Sequence, residues 1–163
     1  MKNIIIALFS ISLLTSCIAY NSEHNDITLK ELNYGPCQTT KTGQTEMDNS
    51  LTGIHSYEKN LDFIEQTDSI KAILNAEFSV EYILQSTRNK YVSLEITWKL
   101  PKGTKDLDGN ILEEISYTKK QYTNTRSWSS YTLSQPNEVQ KGTWTLILNV
   151  GNKKLLQRNF YLY

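Results

Sequence analysis

The chain has 163 residues, and its 17 Lys and Arg balance 17 Asp and Glu to a formal net charge of zero. No basic patch or acidic tail breaks that balance, which excludes electrostatic capture of nucleic acid as a mode of action. The length suits one domain, and ten Tyr with frequent Thr, Ser and Ile favour strands over helices.

The N-terminus reads as an export segment. Lys2 gives a cationic start, and Ile4 to Leu14 then run without a charge, broken only by Ser10 and Ser12. As a helix this run spans about 16 Å, against about 30 Å for the hydrocarbon core of a bilayer. It is too short to cross and has the length of a signal-peptide apolar region. Leu14-Thr15-Ser16-Cys17 follows, a large apolar residue and small ones leading to a cysteine. This order resembles the bacterial lipobox. The resemblance implies cleavage before Cys17 (residues 1–16 being the signal peptide) and acylation of its thiol and new amine. Three acyl chains make a firm membrane anchor, where one binds only marginally. Ile18, rather than Asp, follows the cysteine, which implies sorting to an outer membrane, facing the periplasm. The alternative is an ordinary secretory signal with Cys17 free to pair with Cys37. With Cys17 lipidated, Cys37 is left without an intrachain partner, as a small apolar residue, a free thiol or an intermolecular bridge.

Residues 17–26 are polar and read as a tether, and 27–163 as the domain. Ile27 to Tyr34 is expected to form a first strand ended by Gly35-Pro36. Residues 38–60 carry few large apolar side chains and are expected to form a long loop. Leu61 to Gln66 can be a short strand, turned by Thr67-Asp68-Ser69. Phe78, Val80, Tyr82 and Leu84 then share one face of a strand. The clearest strand is Val92, Leu94, Ile96, Trp98 and Leu100, apolar at every second position with Ser93, Glu95, Thr97 and Lys99 between. Pro101 stops it. Ile111 to Asn124 and Ser127 to Leu133 are further strands. A final hairpin puts Trp144, Leu146, Leu148 and Val150 opposite Leu156, Phe160 and Leu162, turning at Gly151-Asn152 in type II′ or type I′ geometry. Recurrent strands without an amphipathic helix predict an all-β antiparallel sandwich of about seven to eight strands.

Tyr34-Gly35, Thr67-Asp68-Ser69-Ile70, Phe78 with Tyr82, Trp98 with Pro101, Asp108-Gly109 and Gly142-Thr143-Trp144 occur in that order. Their order resembles an uncharacterised bacterial family of exported immunoglobulin-like sandwich domains, over about residues 27–163. The chain departs from that pattern at Lys71, where Pro is expected. The resemblance implies an immunoglobulin-like fold and no chemistry, because the family is a domain of unknown function.

No reaction is legible in the residues. Asp106-x-Asp108-Gly109-Asn110 is reminiscent of a calcium loop, but aligning Gly109 to the tight turn puts Thr104 and Ile115 at the essential first and last ligand positions. An Asp-Gly turn explains the same residues without a metal. His24 and His55 are the two histidines and offer no zinc spacing. His55 with Cys37 across the loop is the one conceivable nucleophile and base, without a motif. Adjacent Glu113 and Glu114 point to opposite faces of a strand and do not make a carboxylate pair. Nothing calls for a cofactor.

Tyr117, Tyr122, Trp128 and Tyr131 are the candidate ligand-binding residues. On one exposed face they can stack on a sugar or clasp a peptide; otherwise they are core aromatics of a second sheet. Trp98 and Trp144 head clean alternating faces and are assigned to the core. The chain therefore reads as a non-enzymatic envelope lipoprotein that binds or supports another envelope protein or a glycan. An immunity or inhibitor protein against a toxin or protease is the further alternative.

Overall fold

A computed structural model describes residues 26–163, and the readings placed on Cys17, His24 and the tether as far as residue 25 lie outside the described residues. The strands are β1 (Thr28–Glu46), β2 (Ile54–Phe63), β3 (Ser69–Ile70), β4 (Glu77–Gln85), β5 (Tyr91–Lys99), β6 (Glu114–Tyr122), β7 (Arg126–Thr132), β8 (Gly142–Val150) and β9 (Lys153–Leu162). The one helical element among the described residues is a 3₁₀ turn at Pro136–Glu138. Two sheets face each other, one ordered β2-β1-β4-β7 and the other β3-β9-β8-β5-β6. Among the described residues, every pairing is antiparallel except the two-residue β3 against β9.

Alternation in the sequence becomes alternation between core and solvent. Phe78, Val80, Tyr82 and Leu84 of β4 are buried, as are Val92, Leu94, Ile96 and Trp98 of β5 and Trp144, Leu146, Leu148 and Val150 of β8. Their inner faces meet as one core. At one end of the sandwich that core is aromatic. Phe78 meets Trp98 edge-on at 5.5 Å and Phe160 at 4.9 Å, and Tyr131 tilts on Trp144 at 4.8 Å. These offset geometries are the ones ring quadrupoles favour. In the β8–β9 hairpin, Gly151 has positive φ and Asn152 does not, which selects the type II′ alternative.

The expected loop over residues 38–60 is instead a hairpin arm. β1 does not end at Gly35-Pro36. It pairs with β4 as far as Pro36, then with β2 alone from Cys37 to Glu46. Gly35 has φ +136°, and a Cβ there would lie 2.4 Å from the Glu65 backbone oxygen. Only glycine lets the two segments approach so closely. The Glu65–Thr67 segment lies against β1 here, and Pro36 O accepts the Ile64 N–H at 2.9 Å, so Gly35-Pro36 is a bend within a strand rather than its end. Of the short strand expected at 61–66, residues 61–63 are the tail of β2 and 64–66 lie beyond its end.

The arm is fastened at four points. Thr39 donates its N–H and hydroxyl to the Glu77 carboxylate at 3.1 and 2.6 Å, at the start of β4. The Ser130 hydroxyl of β7 donates to Glu58 of β2. His55 of β2 tilts onto the Tyr117 ring of β6 at 4.6 Å. At the tip, Leu51 is fully buried in the main core, and its carbonyl accepts Asn137 Nδ2 at 3.0 Å beside the 3₁₀ turn.

Candidate functional site

The arm passes over β7 to reach β6 and touches them chiefly through side chains, so a space is left beneath it. This cleft has a volume of about 890 Å³ and lies between the arm and strands β6 and β7. Three of the four aromatics singled out in the sequence line it: Tyr117, Trp128 and Tyr131. Tyr122 does not. It sits at the far end of β6, exposed, against Tyr91 with ring centroids 4.8 Å apart.

The three residues have different freedom. Tyr131 belongs partly to the core, and its hydroxyl donates to Glu138 Oε1 at 2.8 Å. Glu138 is itself buried, and its other oxygen accepts the Ser134 N–H and hydroxyl and the Gln135 N–H. Four donors compensate the burial of that carboxylate. The network fixes the Tyr131 ring as a rigid wall, and burial beside Glu138 pushes its phenol well above the ordinary tyrosine value. Tyr117 faces inward from β6, and its phenol is likewise raised, by burial first and then by Tyr82 and Glu58. Trp128 lies on the opposite face of β7 from Tyr131, because strand neighbours alternate.

Three polar residues complete the site. Lys119, two residues beyond Tyr117 on the same face of β6, donates from Nζ to the Trp128 backbone oxygen at 2.9 Å and lies 5.9 Å from the Tyr82 ring centroid. Burial lowers its ammonium to about 8, opposed by the negative charge of Glu58. Burial raises the Glu58 carboxyl, against the Ser130 hydrogen bond. His55 is lowered by burial and then by Lys119, and so is neutral at pH 7. The wall is thus aromatic and amphipathic, with the Lys119 ammonium and the Glu58 carboxyl group among its charged side chains.

Sequence reasoning missed Lys119, Glu58 and Glu138. A signal for Lys119 existed: Ile115, Tyr117 and Lys119 share one face of β6, and a lysine on a face otherwise turned inward calls for a partner. Glu58 carried no signal, since its partner lies 72 residues away.

The other sequence candidates are placed apart. Cys37 is buried on β1 opposite Phe63, whereas His55 pairs with Thr45, eight positions further along that strand. That spacing is roughly 26 Å along the strand, so the pair does not assemble, and burial raises the Cys37 thiol. Glu113 and Glu114 are exposed at the start of β6, away from the cleft. Asp106 organises its own loop: Oδ1 accepts the N–H groups of Asp108 at 3.0 Å and Asn110 at 2.8 Å, and Oδ2 accepts Asn110 Nδ2 at 3.1 Å. These bonds, led by the Asn110 side chain, hold its carboxyl below the usual aspartate range. Thr104 is buried with its hydroxyl donated to Pro101 O, and Ile115 is core, so neither faces Asp106 as a ligand would.

Residues 26–162 match a family model described as a domain of unknown function, DUF3859. An immunoglobulin-like protein from Pseudomonas aeruginosa, known from its crystal structure, superposes with a TM-score of 0.59 at 20% identity, over 86% of this chain and 99% of that one. That likeness concerns the fold. A β-glucosidase from Listeria innocua, solved with glucose, reaches a TM-score of 0.37 at 5% identity, over 77% of this chain and 16% of that one, too loose to bear on function. No curated protein matches the chain.

Proposed function

The chain belongs to the DUF3859 family of domains of unknown function, and from that premise we propose that it is a non-enzymatic binding module held in the bacterial cell envelope by a lipid on Cys17. Its ligand, a peptide or a glycan of another envelope component, occupies the cleft between the arm and β6–β7. The observation that carries this reading is the convergence of Tyr117, Trp128 and Tyr131 on one cleft of about 890 Å³. Ligand sites fall in the range of about 300–1,000 Å³ and combine apolar walls with a few placed polar groups. His55, Glu58 and Lys119 are such groups here. Anchoring rests on Leu14-Thr15-Ser16-Cys17 alone.

Tryptophan fluorescence of the detergent-solubilised protein, titrated with envelope glycans and with short peptides, tests the site. A saturable change that Trp128→Ala abolishes is the expected result. A change that Trp128→Ala leaves intact, or none with either ligand class, overturns it. Mass spectrometry of the mature N-terminus tests the anchor, with an acylated Cys17 as the first residue expected.

A further inference from the structure

We propose that the ligand of this cleft is an extended polypeptide segment that joins β7 as an added strand. The inference rests on the cleft being the binding site and goes further by naming what fills it. Among the described residues, β7 is the last strand of its sheet and pairs with β4 alone. The direction of its backbone groups follows from its neighbours. Leu133 N–H donates to Ala76 O at 2.9 Å, and Leu133 O accepts the Asn75 N–H at 2.8 Å. Odd-numbered residues of this segment therefore turn their backbone groups to β4, and even-numbered residues turn theirs away. Lys119 Nζ meets Trp128 O from that far side, in agreement.

The free edge so defined lies where a guest would lie. Every residue of β7, from Arg126 to Thr132, lines the cleft. Trp128 and Ser130 present their N–H groups to it, and Ser130 its carbonyl too; the Thr132 carbonyl is taken by the Ser134 N–H at 2.9 Å. The cleft walls hold further polar atoms that are buried and have no hydrogen-bond partner among the described residues: Trp98 Nε1, Ser50 Oγ and Thr132 Oγ1. A guest backbone carries a donor and an acceptor at every residue. Its edge-facing groups recur about every 6.7 Å, the spacing from Trp128 to Ser130, which a sugar chain does not reproduce. Natural sheet edges are guarded, and lysine is a common guard. Lys119 on Trp128 O fits that role, and a guest N–H takes its place on the carbonyl when the strand adds. Main-chain pairing then supplies affinity, while Tyr117, Trp128 and Tyr131 select side chains.

The test pans a phage-displayed random heptapeptide library on the detergent-solubilised protein. Enriched peptides are remade with N-methyl groups on alternate amides, in two complementary sets. One set is expected to weaken binding about tenfold or more and the other to change it little, because only one set faces β7. Ser130→Pro removes an edge N–H that β4 does not use, so the fold is expected to survive and peptide binding to fall; Ser130→Ala, which removes only the hydroxyl, controls for the Glu58 contact. Equal sensitivity of both methylated sets, or Ser130→Pro binding as wild type, overturns strand addition. Glycans giving a Trp128-dependent signal with no peptide enriched also overturns it, while leaving the cleft as the site. Peptides that bind independently of Trp128 overturn the site itself.

Discussion

Leu51→Ala tests whether the arm is a clasp that closes the cleft. Leu51 is completely buried, and it docks the arm tip into the main core. Truncating a buried leucine to alanine costs about 2–5 kcal/mol. Among the described residues, the arm pairs with the rest of its sheet only through β1, and a lone two-stranded hairpin is marginal in water. The loss should therefore fall on the arm first. Three kcal/mol is about two powers of ten in an equilibrium constant, so amide protection in Ile54–Glu58 should drop about a hundredfold while β5 and β8 keep theirs. Native-state hydrogen exchange reads this directly. Ligand binding should weaken with it, since the arm is one wall of the cleft. Unchanged exchange in the arm would refute the clasp. A uniform loss of protection across both sheets would show instead that the arm melts only with the whole core.

Gly35→Ala should destabilise by at least about 1–3 kcal/mol, the cost of a strained backbone conformation, because its Cβ would also lie 2.4 Å from Glu65 O; denaturant unfolding measures it. Tyr122→Ala should leave ligand affinity unchanged in the fluorescence titration, since that ring packs on Tyr91 outside the cleft. Lys119 has a folded-state value of about 8, below its unfolded value, so between those values the unfolded chain binds more protons and stability rises with pH. Wild type should therefore gain thermal stability relative to Lys119→Met on going from pH 7 to pH 10. Asp26 is held well below its ordinary value of 3.8 by the Ser86 and Lys90 side chains. Its contribution is present above about pH 4 and lost as pH falls toward the folded value, so Asp26→Asn should lower the melting temperature at pH 7 and differ progressively less in acid.

The inner strands were legible because they obey two constraints at once. β4, β5 and β8 each have one face in the core and one turned from it, so burial writes a period of two into their residues. The arm obeys no such constraint. From Gln38 to Glu46 every residue is exposed except Thr39, which is half-buried, so no apolar alternation marks the strand, and its pairing with β2 is carried by backbone groups that any side chain allows. Gly35-Pro36 compounded the error, since the usual punctuation of a strand end here serves a bend. The aromatic candidates were read from composition in an irregular stretch, and three of four converged because β6 and β7 are edges of opposite sheets at one open side. Tyr122 failed on distance along β6. Lys119, Glu58 and His55 meet Trp128, Ser130 and Tyr117 only through tertiary structure, which no local pattern encodes.

The most direct test of the cleft is chemical-shift mapping of the ¹⁵N-labelled protein with an enriched heptapeptide and, separately, with an envelope glycan. The expected result is a contiguous set of perturbed amides on β7 and on β2, with Trp128 and Ser130 among the largest. Perturbations gathered around Tyr91 and Tyr122, or none with either ligand, would contradict it.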